Sequence, residues 1–219
     1  MVDLMNLEGV LKTGAIHNDG GKRMDIIFPV CRISFPKIVK PEQYKGQGEP
    51  RFTVTQIFNT GNPLSPAFVD LNTVVAPAMA SVARANGMNI AGSGVNPFEK
   101  GIKYNKEGTP YDGYEEWTHW ISAAKYPKNE NSVVQCYSAT ATTAIDPKEV
   151  YGGCYGRLMV QIYKPKKWDT LGIGIGWVQF VAHGDAFGDG EKEYEAPSAI
   201  PGAVDVSEPK VTESGFVKF

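Results

Sequence analysis

The chain has 219 residues, 42% hydrophobic and 21% charged, with a formal net charge of −2. That is the composition of a globular chain with one core, and no apolar run approaches the roughly 18 residues a membrane span needs. The charge is uneven: residues 1–188 hold 19 Lys and Arg against 17 Asp and Glu, and residues 189–219 hold 3 against 7. A mildly basic body followed by an acidic tail is the expectation.

Residues 1–24 carry few strong signals and read as a flexible or loosely packed lead. They lack a basic segment followed by an apolar one, so no signal peptide is expected. The run DIIFPVCRISFP (25–36) predicts a strand punctuated by two prolines. KIVKPEQYKGQGEP (37–50) is polar, with Pro and Gly, and reads as a loop. In RFTVTQIF (51–58), Phe52, Val54, Gln56 and Phe58 share one face of a strand. The helix is predicted over 68–87, with Asp70 or Asn72 as its cap, Gly87 as its stop, and Pro77 at its first turn or kinking it. Residues 88–116, rich in Gly, Asn, Pro and Tyr, read as a long loop.

The second half reads as all-β. WTHWISAAKYP (117–127) is a strand, and SVVQCYSATATTAI (132–145) is one strand or an irregular pair. EVYGGCYGRLMVQIYKP (149–165) and LGIGIGWVQFVAHG (171–184) form a hairpin around the basic tip KPKKWDT. About five strands, one α-helix and long loops describe a mainly β chain: an OB-fold, the five-stranded Greek-key barrel, with a β-sandwich as competitor. Residues 25–188 would form that domain and 189–219 a flexible, disordered acidic tail.

The glycines fail every nucleotide-loop pattern. Gly152, Gly153 and Gly156 lead into a strand rather than a helix, and the series Gly172, Gly174, Gly176 ends on Trp177. Alternation puts those last three on one face and Ile173, Ile175 and Trp177 on the other, which serves barrel curvature alone or curvature with ligand access. His17, His119 and His183 are far apart and without metal-site spacing, and Phe187 breaks the one EF-hand-like stretch, so no metal or cofactor is expected. Cys31, Cys136 and Cys154 form no CxxC pair, which suits a reducing compartment, and Cys154 reads as a packing residue. No nucleophile stands beside a base, and Glu115–Glu116 reads as a solvated loop, so an enzyme is not expected.

The basic and aromatic residues remain. Along 157–163, Leu158, Val160 and Ile162 read as core against Arg157, Met159, Gln161 and Tyr163. Lys164, Lys166, Lys167 and Trp168 follow at the tip, and Lys125 and Tyr126 follow Trp120. Cations along a backbone path with aromatic faces for stacking are how single-stranded nucleic acid is bound without sequence preference. The competing reading is a soluble tip with buried aromatics, in a structural or assembly module of a virion or complex.

Three blocks then resemble a known family. RISFPKIVKPEQYKGQGEPRFTVTQIF (32–58), WTHWISAAKYP (117–127) and YGGCYGRLMVQIYKPKKWDTLGIGIGWVQFVAHGDAFG (151–188) resemble, in order, the strand blocks of the tailed-phage single-stranded DNA-binding proteins. The resemblance implies an OB-fold, sequence-independent binding of single-stranded DNA, a part in phage DNA replication or recombination, and the host cytoplasm as location. It implies an acidic tail for protein partners, here with Glu208, Glu213, Phe216 and Phe219, although Lys210 and Lys218 dilute its charge. Together with the basic pattern it nominates Arg51, Trp120, Lys125, Tyr126, Arg157, Gln161, Tyr163, Lys164, Lys166, Lys167 and Trp168 as DNA contacts. A homodimer is left open.

Overall fold

The structure, a computed structural model, describes residues 14–18, 20–44, 46–58, 68–88 and 97–188. Its strands are β1 Gly14–Asn18, β2 Arg23–Ile27, β3 Cys31–Tyr44, β4 Gln47–Phe58, β5 Glu99–Lys100, β6 His119–Lys125, β7 Gln135–Tyr137, β8 Tyr155–Tyr163 and β9 Gly172–Ala182. The helix α1, Phe68–Ala85, lies between β4 and β5.

Five strands close on themselves. β3 pairs with β4, β4 with β6, β6 with β9, β9 with β8, and β8 returns to β3. Every pairing in the ring is antiparallel except β6 with β9. Taken along the chain, the ring runs first, second, third, fifth, fourth. This is the expected OB barrel. The β1–β2 hairpin extends the sheet from β8, β5 pairs with β6, and β7 pairs with β9.

Alternation fills the barrel. Phe52, Val54, Gln56 and Phe58 of β4 and Leu158, Val160 and Ile162 of β8 are fully buried. Val75, Ala78, Met79 and Val82 form the apolar stripe of α1 and join the same core. Gln56 is the polar member. Its Nε2 donates to the carbonyls of Pro29 and Gly156 at 3.3 and 3.2 Å, tying β4 to the place where β3 meets β8. The three thiols are buried, and burial pushes Cys136 up to about 12 and Cys154 up to about 11, so both are inert as nucleophiles near neutral pH.

Several expectations change. The 1–24 lead contributes β1 and the start of β2, paired into the sheet. The strand expected over 25–36 is split at Phe28–Val30 into β2 and β3. The loop expected at 37–50 is a two-stranded arm, with β3 running on to Tyr44 and β4 starting at Gln47. Its ladder shifts register between Lys37 and Glu42 and again before Tyr44, which accommodates Pro41 and Pro50. Asp70 and Asn72 lie inside α1 rather than capping it. Pro77 is also inside, on the exposed side, where the missing backbone donor is least costly. Gly87 does stop the helix. At φ +68° its N–H donates to the Arg84 carbonyl, and that of Met88 to Ala83, a paired C-terminal closure. Trp177 leaves the face of Ile173 and Ile175, because β9 carries a bulge at Gly176. Met159 pairs with Trp177 and Val160 with Ile175, so Trp177 turns outward against Tyr137.

The glycine face of β9 serves packing. A Cβ on Gly176 would lie 2.2 Å from the Met159 methyl, and one on Gly172 3.0 Å from the Tyr163 ring, so β8 side chains fill that face. Gly153 is more constrained still. Its φ is +104°, and a Cβ there would lie 2.0 Å from the Asp185 carbonyl oxygen, where residues 184–188 cross over it. Gly153→Ala is expected to cost at least about 2 kcal/mol and to lower Tm by about 4–8 °C, read by thermal unfolding.

Candidate nucleic-acid interface

One face of the barrel is an open groove of about 650 Å³. Its floor is the outward face of β4 and β6, where Thr53 pairs with Ala124 and Thr55 with Ser122. The Thr55 and Ser122 hydroxyls lie 2.9 Å apart. Small side chains keep this floor low, so a ligand approaches the sheet closely.

One wall is β3 with its arm: Phe35, Lys37, Glu42 and Gln43. Phe35 sits in a bulge between Ser34 and Lys37 at φ +45°, a conformation non-glycine residues rarely adopt. The bulge aims its ring into the groove, edge-on to Tyr111 at 4.8 Å and 6.2 Å from Tyr114. The other wall is the segment 103–111. Its turn is set by Asn105, whose side-chain oxygen accepts from the N–H groups of Glu107 and Thr109 at 3.0 and 2.8 Å, and it is closed by a bridge between Tyr104 and Pro110. It brings Lys103, Tyr104, Lys106 and Tyr111 to the groove.

The electrostatics favour an anion. Four cations line the groove, Lys37, Arg51, Lys103 and Lys106, against one carboxylate, Glu42, which is itself paired with Lys37. Arg51 marks one end and reaches the Tyr126 hydroxyl at 3.4 Å. Tyr163 neighbours Tyr126; burial, then that neighbour, raises its pKa. From there the surface continues onto the β8–β9 tip. Trp168 is 66% exposed, and Lys167 reaches back to Glu49 on the arm at 3.9 Å. Lys164 sits 3.5 Å from Asp169. Both pairs are solvated on at least one side and worth little, so their lysines are available to a polyanion.

The expected contacts therefore divide. Arg51 lines the groove, Tyr126 and Tyr163 stand at its Arg51 end, and the tip that carries Lys164, Lys166, Lys167 and Trp168 reaches the arm through Lys167 and Glu49. Lys125 stands on that side too, but its Nζ donates to the Val133 carbonyl at 2.8 Å. Trp120 is only 5% exposed and packs under Tyr114 at 5.1 Å, so it supports the groove rather than offering a stacking face. Arg157 is committed to the Phe28 carbonyl at 3.0 Å and is not among the groove-lining residues. Gln161 lies on the outer face of β8 beside Gly174, outside the groove walls. Glu208, Glu213, Phe216 and Phe219 fall outside the described residues. Phe35, Lys37, Lys103, Lys106 and Tyr111 also line the groove and were not among the expected contacts. The signal for the last three was present in GIKYNKEGTPYDGY, where lysines and tyrosines alternate with turn residues.

No helix among the described residues is long and apolar enough to cross a membrane. The family described as Enterobacter phage Enc34, ssDNA-binding protein, matches residues 24–199. Among solved structures, the single-stranded DNA-binding protein from bacteriophage Enc34 is similar at a TM-score of 0.52 and 16% identity, over 83% of this chain and 96% of that one. Its C-terminal truncation gives 0.52 and 15%, over 80% and 98%. At such identities the likeness speaks to the fold. No curated protein matches the chain.

Proposed function

The chain belongs to the family of the Enterobacter phage Enc34 single-stranded DNA-binding protein, and from that membership we propose that it binds single-stranded DNA without regard to sequence, protecting and organising it during phage DNA replication and recombination. The observation that carries this is the groove: cation-lined, floored by Thr53, Thr55 and Ser122, and set between the β3–β4 arm and the β8–β9 tip. The face of the second and third strands, with the loops after the first and fourth, is where OB barrels take oligonucleotides. Lysines and Arg51 hold phosphates along the path. Phe35, Tyr111, Tyr126 and Trp168 offer faces to bases. Tyr104, Tyr126 and Trp168 are 54, 46 and 66% exposed, which disfavours a purely structural barrel with its aromatics buried.

The protein works by binding alone, in the cytoplasm of the infected host. The domain spans β1 to Gly188, and residues 189–219 form the acidic tail for replication or recombination partners. Gly188 donates its N–H to Asp112 at 2.7 Å, next to the 103–111 wall of the groove. Oligo-dT is expected to change the tryptophan fluorescence, with a log–log salt slope of about −0.7 for each phosphate held. Absence of any binding at low salt would overturn the reading.

A further inference from the structure

Single-stranded DNA lying in the β4–β6 groove, the reading on which this proposal rests, needs a ring for its bases to stack on. Phe35 is the ring most plainly aimed into that groove, yet its face is taken. The Lys103 ammonium stands 4.9 Å from the Phe35 ring centroid, 5.5 Å from that of Tyr114 and 5.9 Å from that of Trp120. A stacked base would lie about 3.5 Å above the Phe35 ring, the contact distance of carbon atoms, in the layer the ammonium holds.

Lys103 is an unusual cation. It is half-buried, and no hydrogen bond or ion pair joins its ammonium to another described residue. Burial lowers its pKa, with Glu99 pulling the other way. Its contacts are the ring faces, which a cation holds by electrostatic attraction to the π cloud. A desolvated ammonium on a flexible stem, in a groove that receives phosphates, has a better place to go.

We propose that Lys103 is a displaceable cap on the stacking platform: an entering base takes its place on Phe35, and the ammonium swings to the phosphate of the same nucleotide. The exchange is balanced only when a base arrives. A phosphate backbone without bases would draw the ammonium away and leave the ring uncovered. Lys103 thus makes the groove discriminate strands that carry bases from bare polyanions.

The test is a set of anisotropy titrations of oligo-dT and of an abasic oligonucleotide of equal length, each at low and at high salt. The proteins are wild type, Lys103→Ala and Lys103→Ser, with thermal unfolding of each as a check on folding. At low salt both variants should bind oligo-dT more weakly, with a slope shallower by about 0.7 for the lost phosphate. At high salt, where that contact is screened, the order should reverse. The variants should then bind roughly two- to fivefold tighter, because no cap has to be displaced. The abasic strand should show the shallower slope without the reversal. Weaker binding of oligo-dT at both salts, or the same reversal with the abasic strand, would overturn the cap. Failure of the wild type to bind oligo-dT would instead overturn the functional reading beneath it.

Discussion

Replacing Lys164, Lys166 and Lys167 together with alanine is expected to weaken binding of oligo-dT roughly 100-fold at about 0.1 M salt. Three phosphate contacts each contribute about 0.7 to the log–log slope, so the slope should fall by about 2 and the difference should nearly vanish toward 1 M. Those lysines can give up what they hold. The Asp169 and Glu49 side chains opposite Lys164 and Lys167 are 88 and 76% exposed, so their pairs are weak. The substitutions touch no core residue, and the melting temperature should stay within a few degrees of wild type. A shift in affinity with an unchanged salt slope would mean that the tip acts through something other than phosphates.

Phe35→Leu tests the other half of the interaction. A base stacked on an aromatic ring contributes about 1–3 kcal/mol, so leucine, apolar but without a π face, should cost about tenfold or more in affinity. The loss should persist at high salt and leave the slope unchanged, opposite to the lysine triple. Wild-type affinity in Phe35→Leu would place stacking elsewhere, on Tyr126 or Trp168.

The barrel itself was legible because its strands alternate. RFTVTQIF and the run from Arg157 to Tyr163 bury the side chains their period of two demands, and the KPKKW tip joins the two strands expected to flank it. What was not legible depends on residues brought together from afar. A bulge at Gly176 turns Trp177 outward, and nothing in GIGIGW marks it. The β3–β4 arm is spelled with two prolines and several charges and reads as a loop. It is a ribbon because β3 and β4 continue a ladder begun inside the barrel.

The groove suffered most from this. Arg51, Tyr126, Tyr163 and the tip stood out in the sequence because they sit at strand ends in obvious clusters. Arg157 shared the alternation of Tyr163, yet one is bound to Phe28 and the other stands at the Arg51 end of the groove. Trp120 shared a strand with Lys125, yet packing under Tyr114 hides its ring. Phe35 was invisible as a ligand-facing residue, because a phenylalanine before a proline inside an apolar run reads as core. Its bulge shows only once β3 and β4 are paired.

The location of the DNA path can be settled by one matched pair of substitutions. Ser122→Glu puts a carboxylate on the exposed floor of the groove, and Thr140→Glu puts the same charge on an exposed turn outside it. Oligo-dT titrations at low salt should show Ser122→Glu weakened about tenfold or more by repulsion of the phosphates, with Thr140→Glu within about twofold of wild type. Equal affinities for the two variants, or a larger loss for Thr140→Glu, would contradict a strand lying across β4 and β6.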